Sequence, residues 1–423
     1  MNERLLQFIW QFQYFNKDNL RCTDGRLLHI QHPGIPNTNQ GPDFSAGSIM
    51  IDNIKWVGNI ELHIKASDWY SHQHQHDKNY SNIILHVVWQ NDVPLTGDSK
   101  RPVATLELEP LVPVMMLHYY ERLMHAQGFV PCRKELPLLS AIGWLGWKER
   151  LVAERLQRKA AVVLDLFKES GNHWEEVFWW LLAGNFGVKV NAQLFEQVAK
   201  SIPLNILAKH KNQLIQIECL LFGQSGLLNG SFLEDYPNLL QREYTFLAAK
   251  YALTPVNKAP DFLRMRPANF PTVRLAQLAA LVYTSSHLFS KILEVTSVTE
   301  LYSLFNTTAN DYWHYHYTFD EPTTYKPKNL GKAMMSNLII NTIVPVMFAY
   351  GLYHKKQEVK ETAIGFLQAL PAETNSILHE WKTLGVSNTT AFDSQALLEL
   401  KHEYCDGRHC LRCAVGNRLL KQA

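Results

Sequence analysis

Residues 59–65 read Asn-Ile-Glu-Leu-His-Ile-Lys, so that Ile60, Leu62 and Ile64 are apolar while Asn59, Glu61, His63 and Lys65 are polar. Strict alternation puts successive side chains on opposite faces of a strand and does not suit a helix. One face of such a strand packs on a core. The other presents a carboxylate, an imidazole and an ammonium in a row, at intervals of about 7 Å. The surrounding stretch 41–90 adds a second carboxylate, Asp43, and histidines at positions 72, 74, 76 and 86. No other stretch gathers so many groups able to bind a metal or move a proton.

Gly41-Pro42-Asp43 reads as a turn, and 46–51 reads as a strand entering the sheet. Asp43 then sits at a strand mouth, where it can converge on Glu61. Two carboxylates on adjacent strands are hard oxygen ligands suited to Mg²⁺ or Mn²⁺. The bland alternative is a solvated sheet face with Glu, His and Lys pointing outward. The alternating run His72, His74 and His76 fits either a transition-metal site or a polar loop. His86 lies inside the apolar strand 83–89, where a histidine is more often a hydrogen-bonded core group than a site group.

This arrangement resembles the PD-(D/E)XK nuclease core, in which a proline-aspartate precedes one strand and an E-x-K lies on the next. Pro42-Asp43 and, after 17 intervening residues, Glu61-Leu62-His63 stand in those places. The resemblance implies that Asp43 and Glu61 hold a divalent metal that activates water for attack on phosphorus. His63 stands where the family usually has lysine. Lys65, on the same face, would supply the positive charge, or His63 would act as base or orient the water. In that family a glutamate on the preceding helix often completes the site, and Glu3 is the candidate here. The resemblance covers about a quarter of the chain, and its motif is short.

A length of 423 residues allows two or three domains, and a composition 46% hydrophobic and 19% charged describes a globular chain. The formal net charge of +2 gives no strong bias toward nucleic acid or an anionic membrane. Residues 1–110 carry 9 Lys+Arg and 12 Asp+Glu, and the remainder 32 and 27, so the two parts differ at −3 and +5. If nucleic acid is the partner, the later part must supply most of the positive surface. Asn2, Glu3 and Arg4 follow Met1 with no apolar h-region, and 338–353 is short and interrupted by Asn341, Thr342 and Pro345. The expectation is a cytoplasmic protein with no membrane segment, and an open oligomeric state.

The order of a helix over 3–15, strands near 27–30, 46–51, 59–65, 83–89 and 103–108, and helical periodicity from 114 onward predicts an α+β protein. An N-terminal mixed α/β nuclease-like domain would span 1–113 and an all-α domain 114–404. A Cys-rich metal-binding tail over 405–423 would pack on the helices. The long helix predicted over 145–168 mixes both charges, as a solvated face does. Arg264, Arg266 and Arg274 lie on or beside a loop stiffened by Pro267 and Pro271, and are expected to bind phosphate. The competing reading is an arginine-capped structural turn. Trp313, His314, Tyr315, His316, Lys326 and Lys328 form a loop suited to stacking bases or to a domain contact.

Cys405, Cys410 and Cys413 form C-x4-C-x2-C. Three cysteines so close in a chain expected to be reduced signal a metal, either Zn²⁺ or an iron–sulfur cluster. Cys132 is the chosen fourth ligand, with His409 as the local alternative. One distant cysteine plus a terminal triplet resembles the iron–sulfur staple of some PD-(D/E)XK helicase-nucleases, although there the ligands flank the nuclease core. The chain as a whole also resembles a bacterial domain-of-unknown-function family, through the GPDF turn, the E-x-H strand with Asp68-Trp69, the His-rich loop, RPANFP and the cysteine triplet. The leading expectation is metal-dependent phosphodiester hydrolysis on nucleic acid. The alternative is a non-catalytic module that binds nucleic acid or protein.

Overall fold

The structure, a computed structural model, describes residues 1–37, 40–94, 103–136, 139–285 and 287–422. They form two compact units. The first holds residues 1–145, 384–386 and 400–423; the second holds 146–383 and 387–399. The first unit thus runs past the boundary expected at 113 and takes in residues 400–423, whose helix Ala414–Lys421 packs on helix Val114–His125.

The first unit is built on a mixed sheet of strands β1 (Leu28–His32), β2 (Ile35–Pro36), β3 (Phe44–Ile51), β4 (Ile54–Lys65), β5 (Ile83–Gln90) and β6 (Thr105–Glu107), ordered β1-β3-β4-β5-β6 with β2 beside β3. β3 and β4 form an antiparallel hairpin. Its two-residue turn is Asp52-Asn53, both at positive φ, which these residues tolerate better than most and which matches the twist of paired strands. β5 and β6 then run parallel to β4 and β5. A parallel connection needs a crossover, and residues 66–82 supply it as the short helix α2 (Asp68–Ser71), the second helix of the chain, and two 3₁₀ turns, His74–His76 and Lys78–Tyr80.

Helix α1 (Glu3–Phe12) opens the chain, three residues shorter at its end than the periodicity predicted. Asn2 caps it by accepting from the Leu5 N–H, and Gln13 closes it at φ 54°. Leu5, Leu6, Phe8, Ile9 and Trp10 are buried, and α1 packs on β4. Each of these apolar side chains stabilises the unit by about 1.5–3 kcal/mol on burial.

The alternation in β4 sets its pairing, but burial follows the neighbours. Ile54 and Val57, in the hairpin half, are 61% and 60% exposed, whereas Glu61 and His63 are buried beside Ile60 and Leu62. β5 joins β4 only from Asn59 onward, and the crossover covers the polar face there. A β-bulge between Phe44 and Gly47, with Ala46 at φ 54°, adds one residue to β3. Phe44 thereby pairs with Ile60, which brings Asp43 beside Glu61.

The second unit is helical. The long helix α4 (Ala141–Glu169), preceded in the first unit by α3 (Val114–His125), starts four residues before the predicted helix and continues into the second unit. Its charges are paired internally: Lys148 with Asp393, Arg150 with Glu154, and Arg155 and Arg158 with Glu399. The tryptophans of the next helix, Trp174–Phe186, include Trp179 and Trp180 in the core, as helical spacing suggests. Among the described residues, one helix, Lys332–Tyr353, is long and apolar enough by length and composition to cross a membrane; 72% of its apolar window is buried inside the structure.

Candidate functional site

The site lies where β4 and β5 run parallel, under the crossover. Asp43 and Glu61 interlock: the Asp43 N–H donates to Glu61 Oε2 at 3.0 Å, and the Leu62 N–H donates to Asp43 Oδ2 at 3.1 Å. Gln7 of α1 donates to Asp43 Oδ1 at 2.8 Å. Both Asp43 oxygens are therefore occupied by donors, while Glu61 Oε1 faces the histidines. It lies 3.5 Å from His74 Nε2 and 3.8 Å from His63 Nε2.

Among the described residues, His63, His72 and His74 place one ligand atom each within 4.8 Å of one another. His63 Nε2 stands 3.1 Å from His72 Nδ1. His74 Nε2 is buried and has no hydrogen-bond partner. An orphaned imidazole nitrogen beside two further ring nitrogens and a carboxylate oxygen is a donor set that a cation would satisfy. Three ring contacts set the geometry. His74 stacks on Tyr80 with centroids 3.8 Å apart, and Trp69 packs edge-on against His63 and His74. Behind them, His86 Nε2 lies 2.8 Å from His63 Nδ1. One of these two nitrogens must carry the proton, so His86 orients the His63 ring and leaves its Nε2 toward His72 and Glu61.

The electrostatics follow from burial. Burial pushes the Asp43 carboxyl up to about 6, and the Glu3 charge adds to this against the donors Leu62 and Gln7. Burial first, then the Asp43 and Glu3 charges, push Glu61 up to about 8. Burial lowers His63 to about 4 and His86 to about 3, with the neighbouring imidazoles adding to the effect. Near neutral pH and without a cation, Glu61 therefore stays protonated and Asp43 is mostly ionised, while His63 and His86 are neutral and each keeps one lone pair. A divalent ion favours the ionised form of a carboxyl that faces it.

Asp43, Glu61 and His63 are thus brought together, as the alternation implied. Lys65 stands apart: it is exposed at the end of β4, and its charge, after the Ser67 hydrogen bonds, helps hold Asp92 low. Glu3 is exposed on α1, with its charge felt by both carboxyls. His76 is exposed, while His86 is fully buried against the site. Gln7 went unremarked in the sequence; its place one turn after Glu3 on α1 is the signal that could have shown it.

The arginines divide. Arg264 and Arg266 are exposed. Arg274 is buried, and its guanidinium donates to Gln277 Oε1 at 2.9 Å and to Asn269 Oδ1 at 2.5 Å. It ties the proline loop to helix Pro271–Thr284, which is the structural-turn arrangement. In the neighbouring loop Trp313 is wholly buried and stacks on Phe222, and His314, His316 and Lys328 are buried too.

A family model described as a protein of unknown function (DUF2851) matches residues 3–376. The chain belongs to that family. The match takes in the carboxylates, the histidines, Cys132 and the proline loop, and stops short of the terminal cysteines. No curated protein and no solved structure matches the chain.

Proposed function

We propose that this DUF2851 chain is a metal-dependent hydrolase acting on phosphodiester bonds of nucleic acid, with its catalytic centre at Asp43, Glu61 and the histidines around them. The observation that carries the reading is the meeting of His63, His72, His74 and Glu61 Oε1 beside β4, from buried His63 and Glu61 out to exposed His72. Three imidazoles and a carboxylate suit Zn²⁺ or Mn²⁺ better than Mg²⁺, which prefers an all-oxygen shell.

A divalent cation there would supply a water acidic enough to serve as nucleophile at neutral pH and a positive charge for the phosphoryl oxygens. The protein's own groups do the rest. Glu61 is held by the Asp43 N–H so that its other oxygen points at the histidines. Asp43, fixed by Gln7 and the Leu62 N–H, adds negative charge beside Glu61. His86 holds the His63 ring in one orientation. Trp69 and Tyr80 pack on the His74 ring and hold it in place. In the nuclease family that Pro42-Asp43 and Glu61-Leu62-His63 resemble, a metal and two carboxylates at these positions perform phosphodiester cleavage, which supports the choice of substrate class.

The test is cleavage of single- and double-stranded nucleic acid by metal-depleted protein restored with Mn²⁺, Zn²⁺ or Mg²⁺. Cleavage is expected with Mn²⁺ or Zn²⁺, with losses of about 100-fold or more in Glu61→Ala and His63→Ala. Asp43→Ala should fall by a smaller factor. Equal cleavage by wild type and all three variants overturns the assignment. Nucleic acid bound but left uncut would favour a non-catalytic binding module.

A further inference from the structure

Cys132, Cys405, Cys410 and Cys413 all lie in the first unit, although the whole second unit separates Cys132 from the other three in sequence. They come from four local structures. Cys132 sits in a turn after α3, Cys405 ends a π-helical turn (Leu400–Cys405), and Cys410 starts a 3₁₀ turn (Cys410–Arg412). Cys413 caps the terminal helix Ala414–Lys421. Cys132, Cys410 and Cys413 are buried, and Cys405 is half-buried. None is in a disulfide. The Cys405 thiol is close enough to those of Cys413, Cys132 and Cys410 for the charge of each to act on it.

The surrounding backbone is shaped to this meeting. A Cβ on Gly416 would fall 2.1 Å from the Cys410 carbonyl oxygen, so only glycine lets the terminal helix seat against the turn that carries Cys410. The Val415 and Gly416 N–H groups hydrogen-bond to the Cys413 sulfur. Such donors stabilise a thiolate at a helix start. Lys401 and Arg408 place positive charge beside Cys405 and Cys410. His409 is turned elsewhere: it is exposed, with its Nδ1 2.7 Å from the Glu403 carbonyl oxygen.

Spacing selects the class of centre. Zinc–sulfur bonds of about 2.3 Å in a tetrahedron put the sulfurs about 3.8 Å apart. Among the described residues no three cysteine sulfurs lie within 4.8 Å of one another. An iron–sulfur cluster spreads its thiolates over separate irons, and so needs them wider apart than one zinc does.

We propose that Cys132, Cys405, Cys410 and Cys413 bind one iron–sulfur cluster that fastens the terminal segment to the turn after α3. Four thiolates would fill its ligand positions, which makes it a structural or electron-carrying group independent of the hydrolytic site. Full-length chain purified without oxygen should contain iron and acid-labile sulfide in comparable amounts, with visible absorption that bleaches on reduction. Cys132→Ser and Cys413→Ser should each lower cluster content at least tenfold, and Cys22→Ser should keep it. Because a cysteine variant could fail for want of folding, wild type supplies a second reading. Its four thiols should resist alkylation in the folded, iron-loaded protein and react after iron is chelated. One zinc per chain without iron would overturn the cluster. So would metal-free folded protein in which all four thiols alkylate freely.

Discussion

At the scale of single residues, the chain stores unusual ionisation in both units. His86 is fully buried, with its hydrogen bond to the site made at His63 and its ring packed against Trp69. Replacing it with Leu should leave the sheet folded but free the His63 ring, lowering affinity for Zn²⁺ or Mn²⁺ by about 10–100-fold. Titration of the metal into apo-protein measures this, and an unchanged affinity would show that His86 does not orient the site. Glu218, in the second unit, gives a pH prediction away from any proposed metal. Burial pushes its carboxyl from 4.5 to about 7, against the hydrogen bonds of Tyr236, Asn310 and Trp313. The folded chain then holds a proton that the unfolded chain has lost between those values. Glu218's contribution to stability is full below about pH 4.5 and is lost as pH rises to about 7. The total loss is roughly 3 kcal/mol. Denaturant unfolding of wild type and Glu218→Gln across this window should differ in slope by that amount, with the variant flatter.

At the scale of elements, Arg274 separates a structural role from a binding one. Its guanidinium joins Asn269 to Gln277 from a buried position. Arg274→Ala should cost about 2–4 kcal/mol, because it leaves both amides without their donor and opens a gap. If nucleic acid binds, the salt dependence of its affinity should not change with Arg274→Ala. Arg264→Ala and Arg266→Ala, at exposed positions, should each flatten it by about one charge contact if they meet phosphate. The contrast shows what elements reveal in sequence. Period-two alternation identified β4 because it reports pairing geometry directly, and the apolar stripe of α1 was equally plain. Whether a polar face is wet depends on how the crossover 66–82 folds back over it, so Glu61 and His63 read the same buried or exposed. The bulge at Ala46, which brings Asp43 beside Glu61, leaves no signature because alanine rarely adopts that backbone. Likewise Arg274 and Arg266 look alike in sequence; only the helix that starts at Pro271 turns one of them inward.

At the scale of the molecule, the second unit is an insertion: the chain leaves the sheet unit after residue 145 and returns to it for good at 400. Sequence periodicity could not show that return, since the last helices look like any others, and the terminal cysteines were the one local sign that the end has a distant partner. The consequence is that the sheet unit depends on a segment far from it in sequence. Within it, Tyr14 donates to Asn417 at 2.7 Å, Lys401 lies over the Phe129 ring, and Val415, Leu419 and Leu420 are buried. Burial of those three side chains alone contributes about 5 kcal/mol or more, comparable to the whole stability of a small domain. A chain ending at Glu399 should therefore lose amide protection in β3, β4 and β5 while helix Pro271–Thr284 keeps its own. Hydrogen exchange on the truncated and full-length chains reads both at once. Equal loss in the two units would mean that they unfold as one body, and full protection of the strands would mean that the sheet unit is complete without its terminal segment.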